Sequence, residues 1–556
     1  MKRFAWLAVL LSCTVVSCAV LPQPAEMIIT GGIVWTGAKQ HTLAEALAVR
    51  GGRIVYVGTN EQIMRFKGPT TKHIVLHGQL VVPGFIDSHT HFIDGGFALG
   101  TVDLRPAKSP AQFTALLGGY AHTLPKGTWI LQGNWDHEAW PGGQLPRREW
   151  FDSVTPDNPV AVSRLDGHML VANSKALQLA GINRSTPDPA GGTIVRDGKT
   201  GEPTGVLKDE AMNLIWAVVP AATVAERRDA LHRAQAYALA RGVTMITDMG
   251  SWEDLAAYRV ARDHGDLKIR VYAFVPLSSW ARMRDFVARE GPGDLRLKWG
   301  GVKGFVDGSL GSTTAWFYQP YSDAPNTSGL MVTDTAKLRE WALAADHAHL
   351  QVAVHAIGDR ANDWMLDTYQ WIESRNGQRD RRFRIEHAQH LTPQAIARFA
   401  DLGVLPSVQP YHAIDDGRWA EKRIGPDRIK RTYAFRSLLD AKARVLFGSD
   451  WTVAPMDPLL GIYAATTRRT LDDKNPGGWI PEQKISVEEA LHGYTSSNSY
   501  GAFLEHDIGT LERTKRGDIT ILSDNILKMD PAKIRDVKVD YTIVGGEVVY
   551  QRGRSR

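Results

Sequence analysis

Between residues 27 and 82 apolar and polar positions alternate in short runs broken by glycine: MIITGGIVWT at 27–36, ALAVRGGRIVYVG at 46–58 and HIVLHGQLVV at 73–82. A period of two places one face of each run against a core, so the pattern predicts short strands joined by glycine turns. The same texture returns near the other end, in DITILS at 518–523 and VDYTIVGGEVVYQRG at 539–553. Neither end has enough apolar surface to fold alone. Together they predict one composite β-sandwich built from residues 25–82 and 505–556.

The long middle has a different rhythm. Apolar runs recur at 81–89, 243–249, 269–276, 299–308, 351–359, 383–389, 404–410 and 444–450. Patterns with helical spacing fit between most of them, such as AKLREWALAADHAHL at 336–350 and PQAIARFADLG at 393–403. Continuous apolar strands alternating with amphipathic helices are the mark of a parallel sheet covered by helices, and eight such units predict a (β/α)₈ barrel of the TIM type over residues 83–504. The gap between the first two strands, about 100–240, predicts a cap inserted over the barrel mouth. No solenoid-type repeat is present.

Composition narrows the class. Over 556 residues, 43% hydrophobic and 22% charged positions describe an ordinary globular chain, and a formal charge of +5 is mild for this length. The basic clusters RRFR at 381–384 and RIKR at 428–431 are short and lack interleaved aromatics, so no nucleic-acid partner is expected. Both cysteines, Cys13 and Cys18, lie within the first eighteen residues. MKR followed by a short apolar run has the form of an export signal and is too short for a confident membrane span. VVSC at 15–18 resembles a bacterial lipoprotein processing box, with LLSC at 10–13 the weaker candidate; plain secretion with Cys18 idle is the alternative. The expectation is an exported, periplasmic protein tethered to the outer membrane through a lipid on Cys18. With that cysteine lipidated, neither a disulfide framework nor a thiol nucleophile remains. A homo-oligomer is compatible with such a chain.

Chemistry-bearing residues stand at the ends of the predicted strands: His89 and His91 on the first, Lys303 on the fourth, His355 on the fifth, His387 on the sixth and Asp450 on the eighth. Residues i and i+2 of a strand share a face, so a His-x-His pair can aim both rings at one ion, and barrel closure brings the other strand ends to the same axis. Imidazoles with a carboxylate suit Zn²⁺ and its first-row neighbours. Lys303 is a poor ligand as an ammonium. Buried near positive charge it becomes a neutral amine able to add CO₂, and the resulting carbamate has two oxygens suited to bridging two metals. Each residue alone has an ordinary structural explanation, and it is the joint placement at the strand ends of one barrel that argues for a divalent-metal site.

With these residues in place, the chain resembles the amidohydrolase superfamily, and within it the YtcJ-like branch that includes N-substituted formamide deformylases. The resemblance covers essentially the whole chain beyond the export signal. It is carried by VPGFIDSHTHF at 82–92, GNWDHEAW at 133–140, RLDGHMLVANSKAL at 164–177, AGGTIVRDGKTGEPTGVLKDEA at 190–211, VKGFVDGSLGSTTA at 302–315, VHAIGDRAND at 354–363, IEHAQHL at 385–391 and GSDWTVAPMDPL at 448–459. The resemblance implies that His89, His91 and Asp450 bind the more buried ion, His355 and His387 the more exposed one, and carboxylated Lys303 bridges them. One departure is Thr313, where many relatives carry arginine, which places a substrate-anchoring contact in question.

That site implies hydrolysis. Metal-acidified water attacks a polarised carbonyl, and Asp450, both ligand and general base, accepts its proton and passes one to the leaving group. Arg164 and His168 could reach the polar end of a small-molecule substrate or serve only as internal bonds of the cap. Trp135, Trp316 and Trp451 could wall an apolar pocket or be plain packing. The expected reaction is cleavage of an amide-type C–N bond in an N-acyl or N-formyl amine or a cyclic amide. The alternatives are an esterase or lactonase using the same machinery, and a non-catalytic cell-envelope lipoprotein that captures solutes.

Overall fold

The structure is a computed structural model and describes residues 23–40 and 42–553. The expected export signal and Cys18 lie outside the described residues. Among the described residues no helix is long and apolar enough to cross a membrane.

Eight parallel strands form the central sheet in sequence order: β1 Phe85–Thr90, β2 Val243–Met249, β3 Arg270–Pro276, β4 Leu297–Phe305, β5 Gln351–Ala356, β6 Arg384–His387, β7 Leu405–Val408 and β8 Leu446–Phe447. Each corresponds to one apolar run of the sequence. Helices cover the sheet, so strands such as β2 are buried at every position, which is why the runs are continuous rather than alternating. The helices start where the sequence allows. Thr392 accepts from the Ala395 N–H with Pro393 in the first turn, setting the start of Pro393–Asp401 between β6 and β7.

β8 is only two residues long, and the chain just beyond it completes the ring. The Asp450 N–H donates to the His89 carbonyl at 2.7 Å and the His91 N–H to the Trp451 carbonyl at 2.7 Å, with a parallel bridge between Thr90 and Trp451. Gly448 permits this approach, since a Cβ there would lie 2.7 Å from the His89 nitrogen.

The run at 81–89, expected as one strand, is two. Leu80–Pro83 pairs antiparallel with Ile519–Leu522 in an outer sheet, whereas Phe85–Thr90 enters the barrel. The change of sheet falls at Gly84, where a Cβ would meet the Thr244 side chain at 2.3 Å, and Pro83 has no N–H to extend a ladder.

The outer sheet has six strands, three from before the barrel (Ile33–Trp35, Leu43–Ala44, Leu80–Pro83) and three from after it (Ile519–Leu522, Val539–Val544, Glu547–Gln551). A second sheet has four strands, Met27–Thr30, Ala46–Arg50, Arg53–Gly58 and Lys72–Val75. Ile29, Leu47 and Val49 of the smaller sheet share a buried cluster with Val34, Val81, Ile519, Ile521 and Ile543 of the larger.

Between β1 and β2 the chain builds a five-stranded sheet from Ile130–Trp135, Val160–Arg164, Met169–Ala172, Gly192–Arg196 and Pro203–Asp209. It has its own core, with Phe113, Trp135, Phe151 and Val162. The insertion ends earlier than residue 240, because the helix Val224–Leu239 buries Ala230, Leu231, Ala234 and Ala238 in the barrel's core.

Candidate metal centre

The strand ends converge. His89 is fully buried in β1, and His91 follows it past the strand end. The Nε2 atoms of both lie 3.4 Å from Asp450 Oδ1. His89 is pinned from behind by Glu386 of β6, whose Oε2 is 2.6 Å from Nδ1, leaving Nε2 toward the mouth. Arg384 fixes Glu386 in turn through Nε at 2.7 Å, and also donates to the Ser88 carbonyl and the Ser407 hydroxyl.

Lys303 is buried on β4 with Nζ 3.5 Å from His89 Nε2 and 4.6 Å above the Phe305 ring. His387 presents Nδ1 to Gln409 Oε1 at 2.8 Å. His355 presents Nε2 to the Gly308 carbonyl at 3.1 Å, and its ring stands edge-on to that of His387 at 4.5 Å. All six expected residues therefore meet at one end of the barrel.

Among the described residues, two groups bring ligand atoms within 4.8 Å of one another: His89, His91 and Asp450, and His387, His412 and Asp450. Asp450 belongs to both. His355 belongs to neither, and His412 is a residue that the sequence reading passed over. The strand-end reading stops at Pro410, and His412 lies in the first turn of the next helix, Pro410–Asp416.

Burial is the main influence on these groups. It drives the His89, His355 and His387 rings well below the usual histidine range, helped by Lys303 at His89, by His387 at His355 and by His89 at His387, so all three are neutral donors. Burial also brings Lys303 down to about 8, against the attraction of Glu386 and Asp450. At Asp450 burial opposes the charged form, yet His89, His91 and His412 outweigh it and hold the carboxylate well below its ordinary range. At His91 burial is likewise outweighed, by Asp450, and the ring is raised. The neutral imidazoles of His89 and His387 beside a charged carboxylate form a donor set that fits a first-row divalent cation. His387 (φ 73°) and Asp450 (φ 55°) both hold left-handed backbone, a strain on the order of 1–3 kcal/mol each that concentrates at working sites.

A cavity of about 380 Å³ opens above these residues, and the inserted unit supplies part of its wall. Arg164 and His168 both line it. Both also make internal bonds: Arg164 pairs with Asp136 at 3.0 Å and Asp166 at 2.7 Å, and His168 Nδ1 lies 2.7 Å from Asp209 Oδ1. The His168 ring is 4.9 Å from that of His355.

The tryptophans take the packing role. Trp135 is buried in the core of the insertion and donates to the Val162 carbonyl at 2.7 Å. Trp316 packs against the main core under the Arg360 guanidinium. Trp451 stacks on Tyr237 with ring centroids 4.9 Å apart. None of the three lines the cavity, whose apolar wall comes instead from Trp216, Met212, Phe305 and Val453. The Thr313 hydroxyl accepts from Arg423 Nη1 at 3.0 Å.

Comparison with known proteins agrees with this geometry. Residues 73–550 match the model of the amidohydrolase family. Protein LONG AFTER FAR-RED 3 of Arabidopsis thaliana is 42% identical over 95% of this chain and 92% of its own length. The putative amidohydrolase YtcJ of Bacillus subtilis (strain 168) is 32% identical over 94% of this chain and 99% of its own. Among solved structures, an uncharacterized metal-dependent hydrolase from Pyrococcus horikoshii OT3 superposes with a TM-score of 0.73 at 30% identity, covering 91% of this chain and 99% of that one. The fold and site define a hydrolase whose residues could hold a divalent metal. The chain belongs to the amidohydrolase family, on its YtcJ-like branch.

Proposed function

We propose that this protein is an exported, lipid-anchored, zinc-dependent hydrolase of amide-type C–N bonds, acting on an N-acyl or N-formyl amine or a cyclic amide. The observation that carries the reading is the sharing of Asp450 between two ligand groups, one of them with a half-buried His91, at the floor of a cavity. The C–N preference follows from the resemblance to the branch that includes formamide deformylases, and the export from the lipoprotein-like box ending at Cys18.

His89, His91 and Asp450 would hold one ion and His355 and His387 a second, with carboxylated Lys303 as a further ligand. A bound divalent cation supplies a polarised carbonyl and a water that ionises near neutral pH. The protein's own part is then proton handling and orientation. Asp450, held charged, takes the proton released by the water as its oxygen adds to the acyl carbon, and returns it to the nitrogen as the C–N bond breaks, giving a carboxylic acid and an amine. His168, braced by Asp209, and Arg164, braced by Asp136 and Asp166, present donors to the polar end of the substrate, while Trp216 and Phe305 shelter its apolar part from water.

The test is metal analysis of protein purified without chelators, together with a hydrolysis screen over N-formyl amines, N-acyl amines, cyclic amides and esters. Bound zinc and turnover confined to C–N substrates support the reading. A metal-free preparation with undiminished turnover, or turnover of esters alone, overturns it.

A further inference from the structure

We infer that His412 is a metal ligand, completing with His387 and Asp450 the position away from His91. The inference rests on the metal-dependent reading above and adds to its ligand set, because it gives the second position a residue from the helix after β7.

His412 is 9% exposed, and its Nε2 is buried without a hydrogen-bond partner. A buried imidazole nitrogen left unpaired costs stability, and native structures keep such a group where something absent from the protein chain completes it. With His387 and Asp450 its ring lines a smaller pocket of about 50 Å³ that shares Arg164, His355 and Asp450 with the larger cavity, and the ligand atoms of the three lie within 4.8 Å of one another.

Local structure explains how two neighbouring positions divide the work. Pro410 starts the helix Pro410–Asp416 directly behind Gln409. Gln409 turns to His387 and takes its Nδ1–H, fixing that ring as a neutral donor through the other nitrogen. Three residues further on, the first helical turn carries His412 beside His387 and Asp450.

Asp450 faces both ways: Oδ1 lies 3.4 Å from His89 Nε2 and His91 Nε2, while Oδ2 is 4.0 Å from His387 Nδ1, the nitrogen that donates to Gln409. His355, by contrast, has its Nε2 on the Gly308 carbonyl and stays outside both groups. A neutral imidazole with a free lone pair, a second neutral imidazole and a charged carboxylate make a site for a borderline divalent cation.

The test uses the metal-free full-length protein titrated with Co²⁺, followed by visible absorption and by competition with a chromophoric chelator, for wild type, His412→Ala, His412→Asp and His355→Ala. His412→Ala should weaken one of two binding events by at least about a hundredfold, beyond the 10–100-fold typical of losing an outer-shell partner, and leave the other unchanged. His412→Asp, which restores an oxygen donor, should recover part of the loss, and His355→Ala should weaken the same binding event. Because the alanine variant could lose structure, a crystal of cobalt-loaded wild type gives a second reading: the anomalous peak should lie about 2.1 Å from His412 Nε2. Two ions bound with wild-type affinity in His412→Ala, or a peak out of bonding reach of Nε2 in the wild type, overturns the inference. Wild-type protein that takes up no Co²⁺ at all overturns the metal-dependent reading itself.

Discussion

His89 Nδ1 and Glu386 Oε2 lie 2.6 Å apart, with neither side chain accessible to solvent. The contact joins β1 to β6 across the barrel and fixes which nitrogen of His89 faces the cavity. Glu386→Gln keeps the shape and removes the charge. Its expected effect is a loss of metal affinity and turnover of about 10–100-fold, the range seen when a carboxylate behind a ligating histidine is changed. Metal content after dialysis against a weak chelator, measured beside the steady-state rate, checks it; metal content equal to wild type would show that Glu386 only packs.

How far the sequence could be read follows from what is local in it. His89 and His91 are legible because strand parity alone puts i and i+2 on one face. Lys303, His355, His387 and Asp450 are legible because each is a polar residue set within or at the end of an apolar run. The nearness of Asp450 to His89 is not local, since it depends on ring closure through the Asp450 and His91 backbone bonds. His412 escaped for a related reason: it sits one helical turn past a strand end, and the direction of its ring is set by Pro410 and the packing of that helix. The tryptophans failed as pocket markers because their nearness to a motif does not say which way a ring points. Trp451 points away from the cavity, onto Tyr237, because a residue without a side chain, Gly95, leaves it room.

Lys303→Ala removes the amine that would carry the bridging carbamate. Burial brings that amine down to about 8, so about a tenth of it is neutral and able to react with CO₂ at pH 7, far more than for an exposed lysine. The variant is expected to lose bound metal and turnover together, and short carboxylic acids should restore part of both by filling the vacated space with two oxygens. Titration of the variant with acetate, with metal content and rate followed in parallel, is the check. Full activity without any added acid would remove the bridging role.

Asp450→Asn separates folding from chemistry. The main-chain bond from Asp450 to His89 is untouched by the change, so the ring should still close. An amide neither accepts the proton nor compensates the neighbouring imidazoles, and turnover should fall by about 10³-fold or more, as for other lost bases. Circular dichroism should remain that of wild type while the rate collapses. A rate within tenfold of wild type would refute the assignment of Asp450 as base.

The junction between the barrel and the outer sheet offers a test independent of metal. Arg270 of β3 and Asp518, just before the strand Ile519–Leu522, form a two-pronged ion pair at 2.6 and 2.8 Å, and both are buried. Asp518 also accepts from the Gly545 N–H at 2.7 Å, so one carboxylate ties the barrel to two segments that follow it in the chain. Removing one partner of such a pair leaves an uncompensated buried charge, and the cost is about 3–5 kcal/mol. Asp518→Ala should therefore lower the urea midpoint strongly, whereas the double change Arg270→Met with Asp518→Leu should recover much of the loss because no charge is left unpaired. Metal stoichiometry of the folded protein should be unchanged in both, since the pair sits at the opposite end of β3 from the cavity. Equal destabilisation by the single and double variants would mean that packing, rather than charge, holds the two parts together.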